Sequence, residues 1–140
     1  IRIIPNQNLN SVDITTSPFP GFPTDLQAPF MALMATANGT SKIEETVFEN
    51  RMNHVKELNR MGANISLRDN IATVIGTKKL RGKKVVGSDL RATAALALAG
   101  LSANGKTIVR GLEHLERGYE DFPKKLQEVE AKILKKKNYV

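Results

Sequence analysis

Thr24-Asp25-Leu26-Gln27-Ala28 and, further on, Ser88-Asp89-Leu90-Arg91-Ala92 place a hydroxyl residue and a carboxylate ahead of an apolar, alanine-rich segment twice in one chain. Such a pair suits a helix start: the hydroxyl oxygen can accept a free first-turn N–H, and the carboxylate sits in the positive end of the helix dipole. The spacing therefore predicts two helices of one design, capped by Thr24 and Ser88. Each start is followed by a later arginine, Arg51 in Glu49-Asn50-Arg51 and Arg117 in Leu115-Glu116-Arg117. Asp25 maps on Asp89, Arg51 on Arg117 and Lys56-Glu57-Leu58 on Lys124-Lys125-Leu126, with a slowly growing offset that short loop insertions absorb. Two repeat units are expected, about 12–78 and 85–134, with a basic tail over 135–140. Repeats of that length holding both element types predict a duplicated α/β unit and not a solenoid.

Working outward, Ile1-Arg2-Ile3-Ile4 reads as a strand entered midway, and Val12, Ile14 and Thr16 alternate with polar residues as a half-buried strand does. Pro18, Pro20, Gly21 and Pro23 make a stiff loop that delivers the backbone to Thr24. Leu26, Phe30, Leu33, Met34 and Ala37 then recur at helical spacing, with Asn38-Gly39 as a left-handed stop. A strand is expected from Ser41 to Phe48, a helix carrying Val55, Leu58 and Met61 up to Gly62, and a hairpin of Asn64–Arg68 with Ile71–Gly76 about Asp69-Asn70. After the basic connector Lys78–Lys84 the scheme restarts with a strand at Val85-Val86 and a helix from Leu90 to Leu101, apolar nearly all round and so buried on most of its circumference. A strand over Thr107–Val109, a surface helix over Tyr119–Glu130 and a last strand over Ala131–Leu134 complete the expectation.

The 140 residues suffice for one core, and 41% of them are hydrophobic. The longest apolar stretch, Ala92–Leu101, is far too short to span a membrane, and no charged-then-apolar leader opens the chain, so a cytoplasmic location is the expectation. There is no Cys, which excludes disulfides and thiolate chemistry within these residues. The net charge of +7 includes Lys78-Lys79, Lys83-Lys84 and Lys135-Lys136-Lys137, but no aromatic residues interleave with the lysines to stack on bases. A nucleic-acid partner is therefore not expected. The arginines point instead to a small anion, because guanidinium groups grip carboxylates and phosphates through paired, planar hydrogen bonds.

Asp25 and Asp89 at helix starts are ordinary stabilisers unless something else converges on them. Arg51 and Arg117 at matched corners of the repeat, together with Arg91 beside Asp89, supply that convergence. His54 and His114 lack metal-ligand spacing and read as structural. Glu44-Glu45 and Glu49 read as a solvated strand edge and not as a metal group, and neither a metal nor an organic cofactor is expected. Gly-rich phosphate loops and GxSxG elbows are absent.

Five blocks carry a family resemblance: Phe22-Pro23-Thr24-Asp25-Leu26-Gln27-Ala28, Glu45-Thr46-Val47-Phe48-Glu49-Asn50-Arg51, Arg60-Met61-Gly62-Ala63, Ser88-Asp89-Leu90-Arg91-Ala92 and Arg117-Gly118-Tyr119-Glu120. In this order they resemble the C-terminal portion of the UDP-N-acetylglucosamine 1-carboxyvinyltransferases (enolpyruvyl-UDP-GlcNAc synthases), within the EPSP synthase-like enolpyruvyl transferases. The likeness runs from about Val12 to Ile133 and covers only the last third of a full-length member. It implies an inside-out α/β barrel of repeated βαβαββ units, apolar helices inside and sheets outside, with about two units present here. It also implies transfer of the enolpyruvyl group of phosphoenolpyruvate to the 3-hydroxyl of UDP-N-acetylglucosamine with release of phosphate, the first committed step of peptidoglycan synthesis.

By motif, the resemblance makes Asp25 the base that takes the sugar hydroxyl's proton and Val47 a backbone contact to the UDP-sugar. It sets Arg51, Arg91 and Arg117 around the carboxylate and phosphate of phosphoenolpyruvate, with Glu49 and Asp89 orienting them. The family's general acid, usually a Cys, and its conserved Lys belong to the earlier portion, so these residues alone are expected to be inactive. The sibling enzymes acting on shikimate 3-phosphate carry a His between the second Asp and Arg, where this chain has Leu90. That ranks the shikimate alternative behind. A non-catalytic remnant serving as a basic binding or assembly module is the alternative from another class. The family's closing Leu-Gly-Ala appears as Val129-Glu130-Ala131, which removes the residue that most easily takes positive φ.

Overall fold

The computed structural model describes residue 4 and residues 8–136. The expected opening strand over Ile1–Ile4 therefore lies outside the described residues, apart from an exposed Ile4.

Strand β1 (Ile14–Thr15) leads through the proline loop into a 3-10 turn (Thr24–Leu26) and helix α1 (Gln27–Met34). Strand β2 (Thr40–Glu44), helix α2 (His54–Arg60) and strands β3 (Asn64–Arg68) and β4 (Ile71–Ile75) follow. The α1 connection is a crossover, so β1 pairs parallel to β2, and the other pairings are antiparallel in the order β1-β2-β4-β3. Register alternates as a half-buried sheet requires: Ile43 lies opposite Ala72 and Ile65 opposite Val74, all four buried, while Lys42 and Ser66 face water. The Asp69-Asn70 hairpin forms as expected, with Asp69 at φ 55°. Gly39, at φ 104°, supplies the left-handed turn expected between α1 and β2.

The chain then makes strand β5 (Lys84–Val86), helix α3 (Leu90–Ser102) and strand β6 (Ile108–Arg110), a second parallel pair joined by a helical crossover. Helix α3 is buried at Ala92–Ala97 and Ala99, as its all-round apolarity predicts, and packs chiefly on α1. Small side chains let the two helices approach closely around Met31, Met34 and Leu96. Gly111 turns the chain out of β6 at φ 96°, where an added Cβ would lie 2.5 Å from the Gly87 carbonyl oxygen. Helices α4 (Leu112–Leu115) and α5 (Phe122–Glu128) end the regular structure.

Four expectations are corrected. The strand expected from Ser41 to Phe48 stops at Glu44, because the Glu45 carboxylate bends the chain back by accepting the N–H groups of Val47 (3.0 Å) and Phe48 (3.1 Å). Glu45 is also no solvated edge: at 3% exposure it takes hydroxyl bonds from Thr16 (2.8 Å) and Thr24 (2.7 Å). The helix expected over Tyr119–Glu130 begins only at Phe122, after Asp121 has left helical geometry at φ 46° and with Pro123 in its first turn; the preceding α4 has no counterpart in the sequence reading. The strand over Ala131–Leu134 does not form. Glu130 at φ 66° turns the chain back on α5, where Ala131 N–H bonds the Leu126 carbonyl and Gln127 Nε2 bonds that of Ile133, so these residues have no strand partner among the described residues.

Two buried groups set the acid response. Burial pushes the Glu45 carboxyl up, but the bonds from Thr24, Thr16, Val47 and Phe48 outweigh it and hold the group below its ordinary 4.5. Its stabilisation is present above pH 4.5 and is lost as pH falls through the lower folded value. His54, 3% exposed at the start of α2, is pushed down from 6.5 to about 4 by burial, against the opposing pull of the Asp89 charge. The unfolded chain takes up that proton first, so stability falls between pH 6.5 and 4, by about 3 kcal/mol at the lower end.

Urea midpoints across this range are expected to drop first in that window, and His54→Phe is expected to flatten the slope there; an unchanged slope would exonerate His54. Glu45→Ala is expected to cost about 2–4 kcal/mol at pH 7, since it strands two hydroxyls and two N–H groups. Glu130→Gly is expected to raise stability by about 0.5–1 kcal/mol by relieving the left-handed side chain. A lower melting temperature for this variant would refute the strain.

Candidate functional site

Of the residues singled out from sequence, Asp25, Arg51, Asp89 and Arg91 meet where the 3-10 turn, the Glu49-Asn50-Arg51 corner and the start of α3 come together. The corner turns at Asn50, φ 57°, directly before α2. Arg51 leaves it with its guanidinium carbon 3.7 Å from the centre of the Phe48 ring, a cation–π contact. Its Nη1 donates to Thr24 Oγ1 at 3.1 Å and reaches Asp25 Oδ1 at 3.4 Å. Arg91 comes from the other half of the chain, and its Nε donates to the same Asp25 Oδ1 at 2.5 Å.

Thr24 and Ser88 are not the caps the sequence suggests. Thr24 spends its hydroxyl on Glu45 and Arg51, and no side chain caps the 3-10 turn or α1. At the second start Asp89 is itself the N-cap, accepting the N–H groups of Arg91 (2.9 Å) and Ala92 (3.1 Å), while Ser88 Oγ donates to its other oxygen at 3.2 Å. Burial raises the Asp89 carboxyl; the bonds from Ala92, Arg91 and Ser88 and the Arg91 charge lower it further than that, so it stays ionised. The two halves thus use their Asp differently. Asp89 is locked to backbone, whereas Asp25, with a side chain 65% exposed, faces outward between two guanidiniums.

Thr24, Gln27, Arg51, His54, Asp89 and Arg91 line a cleft of about 50 Å³. Among the described residues His54 Nε2 is buried without a hydrogen-bond partner. Val47 has its N–H committed to Glu45 and is not among the residues that line the cleft. Glu49 is exposed and takes no part in the ion pairs of either arginine. Arg117 is exposed and does not line the cleft, although the adjoining Gly118 lies against the Leu90 side chain at the head of α3. The convergence therefore includes Asp25, Arg51, Asp89 and Arg91 and leaves Glu49 and Arg117 at its margin. Glu45 and Thr24 are the residues that sequence reasoning misassigns; the only signal for them is their place inside two of the motif blocks.

A larger depression of about 270 Å³ lies between α4, α5 and the tail, lined by Leu112, Leu115, Phe122 and Leu134 beside the Lys135–Glu116 ion pair. It holds none of the singled-out residues. Among the described residues no group of three His, Asp or Glu side chains is arranged to hold a metal ion, and no helix is long and apolar enough to cross a membrane.

The family model for EPSP synthase (3-phosphoshikimate 1-carboxyvinyltransferase) matches residues 1–126. UDP-N-acetylglucosamine 1-carboxyvinyltransferase 2 of Prochlorococcus marinus is 63% identical over 133 residues, covering 95% of this chain and 31% of that protein. The UDP-N-acetylglucosamine 1-carboxyvinyltransferase of a Nostoc species is 56% identical over 135 residues, covering 96% of this chain and 30% of the relative. Among solved structures, the enolpyruvyl transferase NikO from Streptomyces tendae matches with a TM-score of 0.81 at 32% identity, over 91% of this chain and 30% of its own. EPSP synthase from Acinetobacter baumannii, at 19% identity and a TM-score of 0.57 over 79% of this chain and 28% of its own, shares the fold. The chain spans about 30% of the length of the curated relatives it matches. With the fold, the motif blocks and the matched family model in agreement, the chain belongs to the EPSP synthase family of enolpyruvyl (1-carboxyvinyl) transferases.

Proposed function

We propose that these residues form the base and anion-binding side of an enolpyruvyl transferase that moves the enolpyruvyl group of phosphoenolpyruvate to the 3-hydroxyl of UDP-N-acetylglucosamine, for peptidoglycan synthesis in the cytoplasm. The observation that carries this reading is the meeting of Asp25, Arg51 and Arg91 from three separate segments at one outward-facing point. Relatives at 56–63% identity, named for that sugar nucleotide, favour it over shikimate 3-phosphate. The complete body is an inside-out barrel, to which this chain contributes units at about 12–78 and 85–134, and the rest of the site comes from the earlier portion of the enzyme.

The chemistry follows from the charges. Protonation of the enol CH₂ by an acid outside this chain makes the phosphate-bearing carbon electrophilic. The sugar 3-oxygen bonds to it while its proton passes to Asp25. The tetrahedral adduct then breaks its carbon–phosphate oxygen bond, releasing inorganic phosphate, and loses a methyl proton to restore the double bond. Both arginine contacts fall on Asp25 Oδ1, and Oδ2 has no side-chain partner among the described residues. Arg51 and Arg91, with Arg117 swinging in from the margin, hold the ligand's carboxylate and phosphate, and such contacts count most where the closed site excludes water. Asp89 fixes Arg91 through the helix cap, Val47 offers its carbonyl to the sugar nucleotide, and Glu49 orients the corner arginine once the ligand is bound. No organic cofactor or metal enters this scheme.

Replacing the equivalent third of the Prochlorococcus relative by these residues provides the test. The chimera is expected to release phosphate from the two substrates, and the isolated 140 residues are not. Asp25→Asn in the chimera is expected to retain UDP-N-acetylglucosamine binding and lower kcat by at least about 10²-fold. Near-normal turnover would remove Asp25 as the base. A chimera that folds and binds the sugar nucleotide without turning it over would favour a binding module instead.

A further inference from the structure

The pair of arginines assigned to the anion is already occupied by a carboxylate. Arg51 and Arg91 both end on Asp25 Oδ1, and their side chains are only 21% and 25% exposed, whereas that of Asp25 is 65% exposed. Two guanidiniums and two carboxylates gather here: Arg51 and Arg91 both reach Asp25, and Asp89 lines the same cleft as the two arginines and His54, whose burial favours its neutral form. Asp89 is not free to leave, because two backbone N–H groups and Ser88 hold it. Asp25 has no other side-chain partner among the described residues. An incoming anion therefore either overloads the cleft with negative charge or replaces the one carboxylate that can move.

We propose that Asp25 is the built-in counter-ion of the Arg51–Arg91 pair, and that a carboxylate or phosphate ligand binds by exchanging with it. This rests on the proposed function for the identity of the anion, but the exchange itself concerns only residues within this chain. Arg51 keeps its place after the exchange, since the Phe48 ring and Thr24 Oγ1 hold it independently of Asp25. An ion pair this open to water is weak, and a ligand offering two oxygens to a guanidinium fork competes well against a single shared oxygen. The displaced Asp25 side chain, carried on the short 3-10 turn at the surface, swings toward solvent, where a sugar hydroxyl approaches. Occupation of the anion site and release of the base are thereby one event, so the carboxylate becomes mobile only when the second reactant is in place.

Inorganic phosphate titrated into the 140-residue chain, with the Arg51 and Arg91 side-chain N–H resonances as readout, tests this directly. Asp25→Asn is expected to bind phosphate about fivefold more tightly than the unsubstituted chain. Glu44→Gln, which removes a carboxylate on β2 that bonds Thr15 and pairs with no arginine, is expected to change it by less than about twofold. Equal or weaker binding in Asp25→Asn, equal tightening in Glu44→Gln, or no phosphate binding by either Asp25 form would each overturn the exchange. The proposed function fails separately: unchanged phosphate affinity with lost turnover in the chimera keeps the base and removes the counter-ion, and tighter phosphate with normal turnover does the reverse.

Discussion

One buried carboxylate holds the local architecture together. Glu45 joins strand β1 through Thr16, the 3-10 turn through Thr24, and its own following loop through the N–H groups of Val47 and Phe48. Asn70 adds the β3–β4 hairpin, since its side chain bonds the Glu45 carbonyl and its own carbonyl accepts the Glu45 N–H. Three segments distant in sequence, and the loop that follows, are thus tied to one residue directly after β2. A charged group that accepts four donors satisfies its lone pairs well enough to stay ionised under cover, which is the condition for burying it at all.

The chemistry hangs from that anchor by a short relay. Thr24 donates to Glu45 and accepts from Arg51, Arg51 reaches Asp25, and Asp25 accepts from Arg91, whose backbone is capped by Asp89. The relay crosses from the first half of the chain to the second at a single oxygen. Cover is uneven along it: Glu45 is buried, the arginines are about three-quarters covered, and the Asp25 carboxylate between them is open to water. A covered support beneath an exposed carboxylate suits the role proposed for Asp25.

Elements specified by neighbours in sequence are legible from the residues alone. The Asn64–Arg68 and Ile71–Ile75 hairpin, the all-round burial of α3 and the left-handed turn at Gly39 follow from local alternation, periodicity and turn chemistry. The failures share another cause. Thr24 reads as a cap because its nearest possible partners are local, but its hydroxyl is claimed by a carboxylate 21 residues away. Glu45 reads as a surface residue because charge predicts exposure, and nothing nearby announces the two threonines that cover it. The segment Ala131–Leu134 has the composition of a strand but no neighbour to pair with among the described residues. At the site, motif spacing finds Asp25, Arg51, Asp89 and Arg91; it has no way to tell that both arginines end on one oxygen, because that depends on the packing of α3 against α1.

The contact between Gly87 and Gly111 has a consequence for how this site ages under mutation. A Cβ on Gly111 would strike the Gly87 carbonyl, and one on Gly87 would lie 2.0 Å from Thr93 Oγ1. Gly87 directly precedes Ser88-Asp89 and its N–H bonds the Arg110 carbonyl beside Gly111, so the start of α3 that carries Arg91 rests on volume that has to stay empty. Sequence drift at either glycine would shift the start of α3, and Arg91 with it, without touching a single residue that lines the cleft.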